Sequence, residues 1–413
     1  MSFTNSCQNE GGAALVIGLM FLTILAMLGT TAVMMTTTDM QIGANYKSSA
    51  RAFYDADAGV NYAIGNMETG LKASPQTFSL PTVGNPSQLT YTAPSGFSFS
   101  ISNVTMLATN VYSFTSTGSG PDNARAVVIA TFSVGGGIFN YGIFGDLGVT
   151  IRGNGKTDSY NSSDSPYTWA TRSTNGDIGT NATGAGAIRL SGNAKIYGDA
   201  RVGVGGNPST VITTSGNADV VPPGQKLAAD EPKDMTPLEF PSGGTSRPAW
   251  SLSGNNNDTL NAGTYRLPGI SISGNGKGYI SGDVTLYVTG NIDIFGNGQL
   301  TIQPGGSLTL YVSGTVKIRG NGKITNNTSR PEKLQIYGTS TCTNVRFSGN
   351  ANIYGAIHTP AAAVSVTGNG DIYGSVIGRS IVVSGNGNIH YDEALQNVGP
   401  SFDLKLLSWK QKT

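Results

Sequence analysis

The sequence predicts a mainly β protein carried on one long N-terminal helix. That helix is transmembrane in its first half and amphipathic in its second; a small β-rich head and a C-terminal parallel β-helix (solenoid) follow. Three observations support this fold class. No charged residue lies between Glu10 and Asp39, and Ala13–Val33 (AALVIGLMFLTILAMLGTTAV) is almost wholly apolar. Glycine supplies 58 of 413 residues, yet it sits among alternating β-branched residues, a pattern that low-complexity linkers lack. From about Gly145 the dipeptide Gly-Asn, usually preceded by Ser or Thr, recurs at Gly153, Gly192, Gly216, Gly254, Gly274, Gly290, Gly296, Gly320, Gly349, Gly368 and Gly385.

The apolar run has the length a bilayer requires, about 20 helical residues. It lacks the basic start and the distal small-residue cleavage site of a secretory signal. Beyond it, Ile42, Tyr46, Phe53, Ala56, Val60, Ile64 and Met67 recur at helical spacing, with Lys47, Arg51, Asp55 and Asn61 off that stripe. No proline interrupts Ala13–Met67. The unit would extend about 80 Å at 1.5 Å per residue. These residues by themselves fit a single-pass anchor with a juxtamembrane helix equally well.

The segment Thr36–Met67 (TTTDMQIGANYKSSARAFYDADAGVNYAIGNM) strongly resembles the N-terminal region of PilX-type minor pilins. Two blocks carry the likeness: Thr36–Asn45, with Asp39 where the family usually has Glu, and Ala52–Val60, an A-F-x-x-A-x-A-G-V block holding Ala52, Phe53, Ala56 and Gly59. The resemblance covers about 55 residues. It implies that a prepilin peptidase cuts after a glycine, between Gly12 and Ala13 or else between Gly11 and Gly12. It also implies that the freed helix, with Leu15, Ile17, Phe21, Ile24 and Leu28, packs among other pilins in a filament core. Two features depart from the family. Ile17 (or Val16) stands where major pilins place a glutamate, and the leader Met1–Gly12 holds no Lys or Arg, so charge gives little help with orientation.

Residues 73–144 are expected to form the head. Phe97–Val104, Val111–Thr117 and Ala124–Val134 alternate or cluster apolar residues between Gly-Pro and Ser-Gly turns. Residues 145–395 are expected to form the β-helix. Its clearest repeats are VRFSGNANIYGAI, VSVTGNGDIYGSV and VVSGNGNIHYD, whose Gly349, Asn350, Gly368, Asn369, Gly385 and Asn386 mark turns 19 and 17 residues apart. A period near 20 with one apolar stripe per short strand marks a solenoid, here of about ten coils. Gly and Asn suit its corners because both tolerate φ > 0, and asparagines can stack into hydrogen-bonded ladders. An antiparallel sandwich is the alternative. The segment also resembles a β-helical domain of unknown function that follows PilX-type N-termini, most clearly in Ser384–Leu395. Residues 228–248, with four prolines and a charge cluster, read as an excursion between two blocks of coils. In the tail 396–413, Leu404–Trp409 (LKLLSW) is expected to cover the last coil.

The net charge of +1 and the absence of a basic stripe argue against nucleic-acid binding. Parallel β-helices also serve as polysaccharide lyases and hydrolases, which need clustered carboxylates. Asp283, Asp293 and Asp371, with Lys317, Arg346 and Arg379, are scattered through the repeats and fit a solvated outer face better. His358 and His390, the two histidines, have no recognisable ligand motif around them, and His390 takes the place of Tyr354 and Tyr373 in the repeat. No metal or cofactor is expected. Cys7 falls in the leader, which leaves Cys342 without a disulfide partner.

The expected function is a non-enzymatic, minor pilin-like subunit, anchored in the inner membrane before assembly and then exposed on an extracellular filament. Its partners would be other pilins, the assembly machinery and the prepilin peptidase, and the β-helix would act as a cap or adhesive module for a surface or carbohydrate ligand. A membrane-tethered lyase or hydrolase and a self-polymerising β-helical scaffold are the alternatives.

Overall fold

The computed structural model describes residues 10–73, 96–102, 104–108, 111–134, 137–350, 352–399 and 404–412. Most of the leader with Cys7, and the start of the head at 74–95, lie outside the described residues. The protein is mainly β, with one long apolar N-terminal helix and one large parallel sheet. It divides into two compact units, one comprising residues 1–70, 78–134 and 403–413, the other 71–77 and 135–402.

In the first unit α1 is continuous over Glu10–Ala73, 64 residues, or about 96 Å at 1.5 Å per residue. The head is an antiparallel sheet in the order Phe99–Ile101, Val111–Ser119, Arg125–Val134, Leu404–Gln411, with Thr105–Ala108 also paired to Val111–Ser119. The C-terminal segment therefore does not cover the last repeat, as its apolar pattern suggests. It completes the head, where Trp409 meets Phe53 of α1 edge to face at 5.4 Å.

The face α1 turns to this sheet follows the expected stripe at Phe53, Ala56, Val60, Ile64 and Met67 and departs from it at Ile42, Tyr46 and Asp55. Ser48, Ala52, Asp55, Ala56, Gly59, Val60, Ala63 and Met67 are buried, while Ile42 and Tyr46 are exposed. Small residues allow a close approach: a Cβ on Gly118 would lie 2.0 Å from the Ala52 carbonyl oxygen, and one on Gly120 2.3 Å from that of Ser48. Size as well as hydrophobicity selects this face. Asp55 is buried on it because Arg51 pairs with it at 3.3 Å and the Ser98 N–H donates to it at 3.2 Å.

The second unit holds a 25-stranded sheet in which every ladder is parallel, which excludes the antiparallel sandwich. Ten of the eleven Gly-Asn glycines share one corner, linked in register from Gly254 through Gly274, Gly296, Gly320, Gly349, Gly368, Gly385, Gly153 and Gly192 to Gly216. All ten have φ between +61° and +150°, a region where an L side chain is strained. Gly290 lies outside this corner. Between the corners Val, Ile and Leu fill one continuous core.

The order of repeats in space is not their order in sequence. The run that starts at Thr245 ends at Asp392, and there Ile372–Gly385 and Ile389–Asp392 pair with Ile143–Gly145, Val149–Gly153 and Lys156–Tyr160, the start of the sheet in sequence. The earlier block thus continues the later one across a seam without a local covalent link. Residues 229–244 join the two blocks as a strap along the sheet. Lys233 bonds Asn181 and the Ile138 carbonyl, Glu239 accepts from the Ser340 N–H, and Phe240 packs on Tyr287.

Candidate functional site

Three features hold the residues with the most to do. The first is the apolar half of α1. Leu15 (70% exposed), Ile17, Phe21, Ile24 and Leu28 are all uncovered, and an 18-residue window of mean hydropathy 2.2 has no buried residue. Gly12 and Ala13 lie in its first turns, and Asp39 and Asn45 are exposed further along it. Ala52, Ala56 and Gly59 do the opposite: they are buried, with Phe53 half-buried beside them. Among the described residues, one helix thus has a half that nothing covers and a half seated in the head.

The second feature is the asparagine that follows each corner glycine. Side-chain amides bond in two runs, Asn255–Asn275–Asn297–Asn321 and Asn350–Asn369–Asn386–Asn154–Asn193–Asn217, at 2.7–3.1 Å. The direction is constant. Each Nδ2 donates to the Oδ1 of the preceding repeat, and Asn154 donates to Asn386 across the seam.

The third is a pair of aromatic columns, one residue per repeat. Tyr287, Tyr311, Tyr337 and His358 are in register and lie in a cluster with Phe139, Leu238 and Leu395. His358 is fully buried, and among the described residues neither ring nitrogen has a hydrogen-bond partner. Burial, helped by the charge of Lys233, pushes its pKa down to about 3, because a dry site disfavours the imidazolium. The other column is Tyr354, Tyr373, His390 and Asp158. Tyr354 and Tyr373 stack at 4.3 Å, and Tyr373 and His390 at 4.8 Å. His390 Nδ1 lies 2.5 Å from Asp158 and Nε2 3.7 Å from Asp371, and the Tyr167 hydroxyl donates to Asp158 at 2.9 Å. Burial opposes the charged ring here too, but the two carboxylates outweigh it and raise the His390 pKa.

The sequence pattern shows His390 as a substitute for tyrosine, which its register bears out. It does not show the carboxylate partner. Asp158 is 232 residues away in sequence and becomes a neighbour only through the seam, and no local motif signals that. The two carboxylates sit at opposite edges of the imidazole and do not converge, and among the described residues no group of three or more His, Cys, Asp or Glu is arranged to hold a metal. The other acidic candidates lie apart. Asp293 pairs with Arg319 at 2.8 Å and lies across from Lys317, which lies across from Arg346. Asp283 accepts from Ser307, and Arg379 is exposed. Cys342 is buried, with its thiol pKa raised to about 11 by desolvation.

Residues 11–61 match the PilX N-terminal family model, and residues 243–398 match a family described as a domain of unknown function, DUF7305. The chain thus carries a PilX N-terminal region followed by a DUF7305 domain, and no enzymatic family is indicated. The DUF7305 match spans the later block of repeats up to the seam. Among curated proteins no relative matches the sequence. The crystal structure of the competence-associated pilin ComZ from Thermus thermophilus is 12% identical, with 89% of this chain and 98% of that chain covered and a TM-score of 0.25.

Proposed function

We propose that this PilX-type chain is a minor pilin-like structural subunit of a type IV pilus or related filament. It is made as a single-pass inner-membrane protein with a leader of residues 1–12. Prepilin peptidase cuts it between Gly12 and Ala13, and the assembly machinery draws the freed helix into a bundle with other pilins. Residues 145–395 form a parallel β-helix, displayed at the cell surface as a cap or adhesive module. The in-register corner glycines and the purely parallel pairing support the solenoid reading.

The observation that carries the functional reading is the split character of α1. Residues 14–35 expose a nearly continuous apolar surface, whereas Ala52–Met67 is seated on the head. Burying each exposed Leu, Ile or Phe contributes about 1.5–3 kcal/mol, and both a bilayer core and a bundle of like helices supply that burial. Mass spectrometry of the mature N-terminus, with and without active prepilin peptidase, tests the reading. A peptidase-dependent start at Ala13 is expected; a retained Met1, or a cut beyond Val33, overturns it.

A further inference from the structure

We infer that the second unit stacks end to end with a second copy of this chain. The edge Ile212–Asn217 of one copy receives the edge Trp250–Asn255 of the next, in parallel and in register. The inference rests on the solenoid reading proposed above and adds a partner to it.

The asparagine ladder has a direction, so its two ends are complementary. At one end Asn217 spends its Nδ2 on Asn193, and its Oδ1 has no partner among the described residues. At the other end the Oδ1 of Asn255 accepts from Asn275, and its Nδ2 has none. The backbone repeats this polarity. At seven of the nine steps an asparagine N–H donates to the corner glycine carbonyl of the repeat before, as Asn275 does to Gly254 and Asn217 to Gly192. At the two ends the Gly216 carbonyl and the Asn255 N–H have no such partner among the described residues. One end offers acceptors and the other donors, at equivalent positions of the same repeat.

The position three residues after each corner glycine points the same way. Inside the stack Asp371 is followed in the next repeat by Asn388, whose N–H and Nδ2 donate to it at 2.8 and 2.9 Å. Asp219 occupies this position at one end of the stack, and Asn257 at the other. The join would place Asn257 on Asp219, the same pair in the same order.

The seam is a precedent for such a join. There one repeat is laid on another with no local covalent connection, through parallel pairing from Ile381–Gly385 to Val149–Gly153 and the Asn154–Asn386 bond. The terminal edges read ITTSGN and WSLSGN, the same alternating pattern into a Ser-Gly-Asn corner. Their outward residues Thr213, Ser215, Ser251 and Ser253 are exposed, and so is Thr214, which stands in register with core Leu190. An open parallel edge is a ready template for another chain. Because the two edges are different surfaces, the contact is heterologous and can propagate.

The test uses full-length chains in lipid nanodiscs, with Cys7→Ser to remove the leader thiol. Asn217→Cys and Asn255→Cys chains are mixed and treated with a short bismaleimide cross-linker. An Asn154→Cys/Asn386→Cys chain serves as the internal control. The expected result is a cross-linked dimer in the mixture that is lost when either variant is treated alone. No dimer in the mixture, while the control links within its own chain, overturns the join and leaves the solenoid standing. A dimer from one variant alone overturns it in favour of a symmetric contact. Failure of the control overturns the solenoid reading, and the join with it.

Discussion

His358 and His390 each stand at the end of a column of tyrosines, one residue per repeat, and they do so in opposite electrical surroundings. The column ending in His358 is covered by apolar groups, so this ring is dry and neutral. The column ending in His390 continues into Asp158 at the seam, and a second carboxylate approaches the far edge of the ring. The repeat supplies the same shape twice, and what crosses over it decides the charge. The comparison teaches that the pH response of this unit is set by long-range coverage rather than by the repeat sequence.

The signs follow from linkage. The His358 pKa is lowered in the folded protein, so only the unfolded chain takes up its proton as pH falls below about 6.5. Stability is full above that value and declines toward about pH 3, with a drop of roughly 4–5 kcal/mol if the whole shift is expressed. Hydrogen-exchange mass spectrometry on peptides spanning residues 353–368 measures this. The substitution His358→Phe should flatten the acid limb and raise protection at pH 7, since it removes two unpartnered nitrogens. An unchanged acid limb would break the comparison.

His390 has the opposite sign. Its folded pKa is raised, so its contribution is complete below about pH 6.5 and fades as pH rises through the folded value. His390→Tyr restores the residue of the neighbouring repeats but leaves the Asp158 carboxylate buried without its cation. Removing one partner of a buried pair costs about 3–5 kcal/mol. Thermal unfolding at pH 6 should show that loss, and adding Asp158→Asn should recover part of it. If the double variant is no better than the single one, the orphaned carboxylate is not the cause.

The same contrast shows what the sequence could and could not reveal. The Gly-Asn recurrence locates the repeats, because a positive φ at each corner is a local demand met by a local residue. The apolar run of α1 is legible for a similar reason, since no tertiary contact is needed to recognise it. The order of the repeats in space was hidden: only the seam brings residue 386 to 154, and the strap makes it possible. The seat of α1 is legible from Phe53 to Met67 and departs from the apolar stripe at three positions. Ile42 and Tyr46 are exposed and Asp55 is buried because Gly118 and Gly120 let the helix backbone come close. The C-terminal strand was misplaced because its apolar residues suit the edge of either unit.

A smaller change sharpens the comparison at its origin. The Phe139 ring meets His358 edge-on at 6.2 Å and is fully buried. If coverage sets the His358 pKa, loosening that cover should move it without touching the histidine. Phe139→Leu keeps an apolar side chain but removes part of the ring, a large-to-small core change that leaves a gap beside His358. The expected result is a small loss of stability and a His358 pKa above its present value of about 3, read by NMR titration of the ring carbons, with the His390 titration unchanged. A shift at both histidines would mean that the columns respond as one body and that the cover of each is not its own. No shift at either would place the cause in the tyrosines beneath His358 rather than in the ring beside it.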